Sequence, residues 1–100
     1  MEHLIDRLLK SGELTADGLR SELKDLQETL EILRVQGTIS NDAYLDAGAI
    51  EGGLNMLANL IELQIPESEV AEHLRQLKER AGRIDKAHPS LGKSVKDSRQ

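Results

Sequence analysis

The chain contains no cysteine, phenylalanine or tryptophan, and Tyr44 is its only aromatic residue. The absence of cysteine excludes disulfides, thiolate metal sites and cysteine nucleophiles, and it fits a reducing compartment. Single-stranded nucleic-acid grooves and RNA-reading sheets use aromatic side chains as stacking platforms, so the sequence argues against a surface of that kind. The hydrophobic core must be built mainly from leucine, isoleucine and alanine.

Basic residues are absent between Val35 and Leu74, although the chain has thirteen lysine and arginine residues in all. The same stretch holds seven acids, namely Asp42, Asp46, Glu51, Glu62, Glu67, Glu69 and Glu72. We expect these acids to create a field of one sign that nothing nearby neutralises, and such a field speeds encounter with cationic surfaces. The net charge of −5 argues against direct nucleic-acid binding, because phosphates are neutralised by clustered lysine and arginine.

Long apolar runs are also missing from the sequence. The longest uncharged run in the helical part, from Gly52 to Ile61, contains two asparagines and is too short to span a bilayer. The first ten residues carry charges throughout and lack the continuous apolar segment of a signal peptide. We therefore expect no membrane association and a cytoplasmic location.

Apolar residues recur at steps of three and four along three segments of the chain. These ladders are Ala16, Leu19, Leu23, Leu26, Leu30 and Leu33; Ala43, Ala47, Ile50, Leu54, Leu57 and Ile61; and Val70, Leu74, Leu77, Ala81 and Ile84. The spacing places each set on one face of an α-helix, whereas a strand would alternate by two. The pattern predicts an all-α fold with helices about 20–35 Å long.

The junctions between the ladders repeat one arrangement of residues. Gly12 and Gly37 are suited to the left-handed conformation that closes a helix, and Thr15 and Ser40 are suited to cap the next one. Pro66 fits the first turn of the last long helix. We predict helices near 2–11, 15–36, 40–64 and 66–87. Together they indicate a small antiparallel bundle of one short and three longer helices, joined by tight capped turns.

The sequence changes character after His88-Pro89. The remaining residues are polar, show no apolar period and are rich in small side chains. We therefore expect a helical bundle domain over residues 1–87 and a disordered, flexible basic tail over residues 88–100. Whether that tail orders on a partner is left open.

No motif of a known type of enzyme site is present. The three histidines, His3, His73 and His88, share no metal-binding spacing. The sequence has no nucleophile elbow, phosphate-binding loop or zinc motif. We predict a protein without catalytic activity, cofactor or bound metal.

The third predicted helix is unusual because it is small-sided and apolar on more than one face. It contains Gly48, Gly52 and Gly53, each of which costs about 1 kcal/mol relative to alanine in a helix interior. Close approach by another helix, a kink near Gly52-Gly53, or tolerance in a packed monomer would each explain them; we favour close packing. The apolar faces indicate either the buried centre of the domain or an exposed interface.

These observations predict a protein that inhibits or regulates a partner by covering a basic surface, such as the channel of a nucleic-acid-binding complex. The predicted contact residues are Asp42, Asp46, Glu51 and Glu62 as steering charges, together with Tyr44 and Met56. An apolar anchor would come from the second or third helix. By size, acidity, lack of cysteine and all-helical build, the chain resembles small phage-encoded inhibitors, the anti-CRISPR proteins among them. That resemblance implies action by occlusion of a target.

Two alternatives remain open at this point. One is a homodimeric helical adaptor or assembly subunit with no inhibitory role, because strict apolar ladders also favour pairing of helices between chains. The other is a nucleic-acid-associated regulator that uses the basic C-terminal helix and tail.

Overall fold

The computed structural model describes residues 1–11 and 14–98, and within that part of the chain every regular element is a helix. The five helices are α1 (Glu2–Lys10), α2 (Ala16–Val35), α3 (Asn41–Glu62), α4 (Glu67–Ala87) and α5 (Pro89–Ser98). The prediction of an all-α fold is therefore confirmed. The first four helices begin and end within about two residues of the predicted positions.

The core is formed by the apolar ladders read from the sequence. Ile50, Leu54 and Leu57 of α3 are almost completely buried, as are Leu26 and Leu30 of α2. All five ladder positions of α4 are buried as well. α3 packs between α2 and α4, α1 packs on α4, and α5 lies against α2, α4 and α1. Burial of a leucine or isoleucine side chain stabilises the fold by about 1.5–3 kcal/mol, so these ladders are its main source of stability.

The predicted caps are present at both described junctions where they were expected. The Thr15 hydroxyl accepts a hydrogen bond from the Gly18 amide at 2.9 Å, and the Ser40 hydroxyl accepts one from the Ala43 amide at 3.0 Å. Gly37 has a φ of 73° and ends α2, as the sequence indicated. Gly12, which was predicted to end α1, lies outside the described residues.

The end of α3 uses the same backbone motif without a glycine. Gln64 has a φ of 61°, its amide donates to the Ile61 carbonyl, and the Ile65 amide donates to the Leu60 carbonyl. This is the pattern of hydrogen bonds that follows Gly37, where a left-handed residue allows two carbonyls of the last turn to be satisfied. Pro66 follows as the N-cap of α4, one residue before its predicted place in the first turn.

The predicted disordered tail is wrong for residues 89–98, because they form α5. Leu91 is fully buried and Val95 is 2% exposed. Gly92 packs so closely on α4 that an added Cβ would lie 2.8 Å from an Asp85 carboxylate oxygen. The two apolar residues are spaced four apart, and burial against neighbouring helices stabilises a segment whose own propensity is weak. Arg99 and Gln100, also predicted to be flexible, lie outside the described residues.

Ion pairs fix α1 on α4. The Met1 ammonium lies 2.8 Å from the Asp85 carboxylate, and Lys78 lies 2.9 Å from Asp6. Asp6 also pairs with Lys10, one turn further along α1, at 2.9 Å. Hydrogen bonds from Lys10 and Lys78 lower the pKa of Asp6 to about 2. A short amphipathic helix is thereby held by charge as well as by its buried leucine and isoleucine.

Candidate protein-binding surfaces

Basic residues from other segments reach the acidic stretch of the sequence. Glu62 forms an ion pair with Arg20 of α2, and Asp46 lies 2.8 Å from the His88 ring nitrogen between α4 and α5. Glu72 pairs with Arg75 at 3.0 Å within α4. The expectation that nothing nearby neutralises these acids is therefore wrong for Glu62 and Glu72, because Arg20 reaches Glu62 from α2 and Arg75 reaches Glu72 within one helical turn.

Tyr44 is held at the start of α3 by the end of α2. Its hydroxyl donates a hydrogen bond of 3.0 Å to Glu31, and the Arg34 guanidinium lies 5.0 Å from the centre of its ring. The hydrogen bond to Glu31 raises the pKa of Tyr44, while Arg34 and then Tyr44 lower the pKa of Glu31. These contacts stabilise the α2–α3 junction, so the structure gives this aromatic residue a role within the fold.

Glu51 is half-buried on the side of α3 that faces α2. Partial burial raises the pKa of this carboxyl, and a hydrogen bond with Gln27 of α2 acts in the opposite direction. Together with Arg20, which also donates to Asn59 at 2.8 Å, Gln27 and Glu51 form a polar seam between the two helices. Glu51 is thus engaged inside the molecule.

The six predicted contact residues do not form one surface. Tyr44, Glu51 and Glu62 face α2, whereas Asp46 contacts His88 on the side of α4. Asp42 is exposed in the first turn of α3. Met56 is 46% exposed on the outward side of the helix. Residues placed at helical spacing around a whole circumference cannot all meet one partner face.

Eight exposed residues without a charged side chain lie along the outward side of α3, bordered by Asp46 and Glu62, and Asn59 among them accepts a hydrogen bond from Arg20. We call this set the outer strip; it consists of Asn41, Leu45, Gly48, Gly52, Asn55, Met56, Asn59 and, just past the helix, Leu63. Leu45 is 71% exposed and Leu63 72% exposed. The buried ladder lies on the opposite side of α3. One face of this helix is therefore part of the core, and the other is exposed.

The three interior glycines of α3 differ in their surroundings. A Cβ added at Gly53 would overlap the Leu77 side chain of α4, so close packing is confirmed there. At Gly48 and Gly52 no atom lies within 4 Å of the added Cβ. The helix runs without a break through Gly52-Gly53.

A second exposed apolar surface lies on α2 and was not predicted from the sequence as a contact site. Ile32 is 55% exposed and Val35 72% exposed. Two shallow hollows adjoin Ile32, and Asp25, Glu28 and Glu31 line them. We call these five residues the α2 acidic surface. The sequence does contain an indication of this surface, because Ile32 and Val35 are large apolar residues that do not belong to the apolar ladder of α2.

Two arginines lie beside the outer strip, in a groove between α3 and α4. The groove is lined by Leu45, Asp46, Ala49, Arg80, Arg83, Ile84 and Ala87. Within residues 1–11 and 14–98, neither Arg80 nor Arg83 forms an ion pair. The cations of the C-terminal half of α4 are therefore available to a partner.

An apolar hollow of about 350 Å³ lies at one end of the bundle, between α1, the end of α3 and the start of α4. It is lined by Leu8, Leu9, Leu14, Ile61, Ile65, Val70 and Ala71, with Glu67 as the only charged lining residue. Small-molecule sites combine an apolar wall with several convergent polar groups. The lining described here provides one such group.

Comparison of the chain with protein-family models, with curated proteins and with solved structures finds no match. None of the described helices is both long enough and apolar enough to cross a membrane. Among the described residues, no three histidine, aspartate or glutamate side chains are grouped so as to hold a metal ion. The exposed surfaces are therefore the candidate functional sites of the chain.

Proposed function

We propose that this protein binds a basic surface of a protein partner through the α2 acidic surface and inhibits or regulates the partner by covering it. The observation that supports this proposal is the combination of two exposed apolar side chains, Ile32 and Val35, with the adjoining acids Asp25 and Glu28. Glu31 lies beside them and is paired with Arg34 and Tyr44. A lysine- or arginine-rich surface matches it, because its aliphatic stems pack on the apolar pair while its charges meet the carboxylates. Nucleic-acid-binding proteins carry such surfaces.

The four acids that the sequence analysis predicted as contact residues act at long range in this proposal. Asp42, Asp46, Glu51 and Glu62 contribute to the net charge of −5, which attracts a cationic partner over distance and raises the association rate. Direct contact is assigned to the α2 acidic surface instead. The similarity in bulk properties to small phage-encoded inhibitors is consistent with this mode of action.

The fold and the cellular location are also part of the proposed function. A small antiparallel bundle presents α2 as a rigid helix face and requires no cofactor for binding. Rigid helix faces lose little conformational entropy when they bind. A cytoplasmic location belongs to the same proposal, since the chain has no cysteine.

The test is capture of partners on the tagged protein from nuclease-treated cell lysate, with elution by rising salt. We expect a basic partner in stoichiometric amount that elutes at high salt and loses its nucleic-acid binding when this protein is added. The variant Asp25→Lys/Glu28→Lys should abolish capture. A control with the same net charge and both changes on α4, Glu69→Lys/Glu79→Lys, should retain it in weaker form.

Apolar contact is tested separately with Ile32→Ala/Val35→Ala, which leaves the charge unchanged. Both side chains are more than half exposed, so the fold should be preserved and binding should fall at least tenfold. Equal capture by all these variants, or a partner that still binds nucleic acid while in the complex, would contradict the proposal.

A further inference from the structure

The outer strip of α3 is an exposed face of eight residues without a charge, in a chain in which 31% of residues are charged. Its three large apolar side chains, Leu45, Met56 and Leu63, are 46–72% exposed. Single exposed apolar residues are ordinary on protein surfaces, but these three share one helix face with glycine and asparagine only. Such a face is typical of a surface that another helix covers.

Gly48 and Gly52 lie in the middle of this face, with open space above them. Glycine in a helix interior is less favourable than alanine, and no contact within the described residues requires it at these two positions. Gly53 differs, because it is covered by Leu77. Glycine allows another backbone or side chain to approach closely, so the two open positions suit a partner from outside the monomer.

On α4, which lies beside the strip, two exposed acids and two exposed arginines occupy opposite halves of the helix. Glu69 and Glu72 are exposed in its N-terminal half, and Arg80 and Arg83 are exposed in its C-terminal half. The middle of α4 packs on the middle of α3 at Leu77, so the two α4 acids lie beside one half of the strip and the two arginines beside the other. Asp46 of α3 lies in the groove with the two arginines and contacts His88, and Arg75 pairs with Glu72. The face formed by α3 and α4 therefore has the uncharged outer strip on α3, with Glu69 and Glu72 towards one end of α4 and Arg80 and Arg83 towards the other.

We propose that a second copy of this chain packs on the outer strip, with the two α3 helices running in opposite directions about a two-fold axis near Gly52. In that arrangement, Met56 of each copy enters the depression bounded by Leu45, Gly48, Ala49 and Gly52 of the other. A side chain held by residues i, i+3, i+4 and i+7 of a facing helix is the usual packing in helix pairs. The open space above the two glycines is then filled.

The same axis makes the charges complementary. It brings the α4 helices to the same side of the interface in opposite directions, so Arg80 and Arg83 of one copy face the half that carries Glu69 and Glu72 in the other. A two-fold interface uses the same patch twice and must be self-complementary, and the charge division of α4 meets that condition. In a parallel pair about a two-fold axis the α4 helices would lie on opposite sides of the interface, so this pairing of charges would be lost.

The face is smaller than that of a typical stable complex, and interfaces at the small end of the range are mostly weak or transient. A helix of 22 residues is about 33 Å long, and a face two helices wide covers about 600 Å² on each copy. Stable interfaces bury about 800 Å² on each partner. We therefore expect a dimer with a dissociation constant in the micromolar range.

The decisive experiment uses two oppositely charged variants and sedimentation or light scattering over a concentration series. Arg80→Glu/Arg83→Glu makes all four of these positions acidic, and Glu69→Lys/Glu72→Lys makes all four basic. Each variant alone should be monomeric at concentrations where the wild type is dimeric. An equimolar mixture of the two should form a heterodimer, because both charged ends are then complementary. A monomeric wild type at about 100 µM, ten or more times the expected dissociation constant, or a mixture that does not associate, would overturn the proposal.

The glycines provide an independent readout. Gly48→Ala/Gly52→Ala should raise the thermal midpoint of the monomer and weaken dimerisation at least tenfold, because the added methyl groups occupy the space that Met56 of the second copy needs. Unchanged dimerisation in this variant would contradict close packing at the strip. Circular dichroism on each variant verifies that the helical fold is retained.

Failure of this inference does not affect the proposed partner binding. The outer strip and the α2 acidic surface share no residue, so Asp25→Lys/Glu28→Lys should leave the dimer intact. Loss of the dimer in that variant would place the contact on α2 and overturn the assignment to α3.

Discussion

Among the described residues, Gln64 is the only residue other than glycine with a positive φ. A side chain in the left-handed region is disfavoured because its Cβ approaches the backbone, by roughly 1–2 kcal/mol. The hydrogen bonds from Gln64 and Ile65 to the last turn of α3 require that conformation. The chain therefore retains local strain at a position where Gly37, at the end of α2, has none.

We predict that Gln64→Gly stabilises the protein by about 0.5–1 kcal/mol, since relief of this strain exceeds the greater flexibility of glycine in the unfolded chain. Urea denaturation measures the difference. The matched control is Gln36→Gly, because Gln36 ends α2 with a right-handed φ of −73°. That control should give no gain, and a gain of equal size at both positions would contradict the explanation.

Asp6 is expected to make stability depend on pH in acid. Hydrogen bonds from Lys10 and Lys78 lower its pKa to about 2, below the value near 3.9 that an unfolded aspartate has. A lowered pKa means that the stabilisation is complete above pH 4 and is lost as the pH falls towards 2. Asp6→Asn should therefore lower the thermal midpoint at pH 7, and the difference from wild type should vanish near pH 2.

The same comparison in a Lys78→Gln background serves as the control for Asp6. Without Lys78, one of the two hydrogen bonds is missing, so the effect of Asp6→Asn at pH 7 should be smaller. A difference that persists unchanged at pH 2 would show that Asp6 acts through something other than its charge.

At the scale of the elements, α5 shows how weak local signals can still specify a helix. Its ten residues include serine, glycine and proline, and only Leu91 and Val95 reach the core. Nucleation of so short a helix is unfavourable in isolation. Contacts with α2 and α4 supply the missing stability, so the helical state of α5 depends on its packing against the rest of the chain.

We predict that Leu91→Ala destabilises the protein by about 2–4 kcal/mol, because a fully buried leucine is removed and a cavity remains. Leu63→Ala is the matched control, since Leu63 is 72% exposed, and it should change stability by less than about 0.5 kcal/mol. Chemical denaturation measures both variants. An equally small effect at Leu91 would restore the interpretation of residues 89–98 as a loose tail.

At the scale of the whole molecule, the two exposed surfaces lie on different helices and have different chemistry. The α2 acidic surface combines charge with two apolar side chains, whereas the outer strip of α3 is uncharged. A dimer formed through the strip would display two α2 acidic surfaces, and paired sites bind a repeated target more tightly than one site does. The two proposals are therefore compatible with each other.

Self-association also predicts a property of the wild-type protein itself. Because a dimer is stabilised by mass action, its thermal midpoint should rise with protein concentration. Calorimetry over a hundredfold range of concentration measures this dependence. The midpoint of Gly48→Ala/Gly52→Ala should be higher than wild type at low concentration and nearly independent of concentration. A wild-type midpoint that does not change with concentration would exclude the dimer in that range.

The sequence by itself determined the all-α class, three core ladders and the caps at Thr15, Ser40 and Gly37. These features depend on the spacing of apolar residues and on backbone hydrogen bonds, both of which involve residues close together in the sequence. It did not determine the left-handed conformation of Gln64, because a glutamine carries no signal for it. It also missed α5, whose helical state depends on burial.

Only the tertiary structure decided which charges are neutralised and which apolar residues stay exposed. Arg20 reaches Glu62 across a long distance in sequence, so a linear count of acids overstated the field. His88 likewise reaches Asp46 as a hydrogen-bond partner. The position of Ile32 and Val35 outside the core likewise depends on which face of α2 meets its neighbours. Contacts between distant residues follow from how helices pack, and helical period alone fixes only the face that is buried.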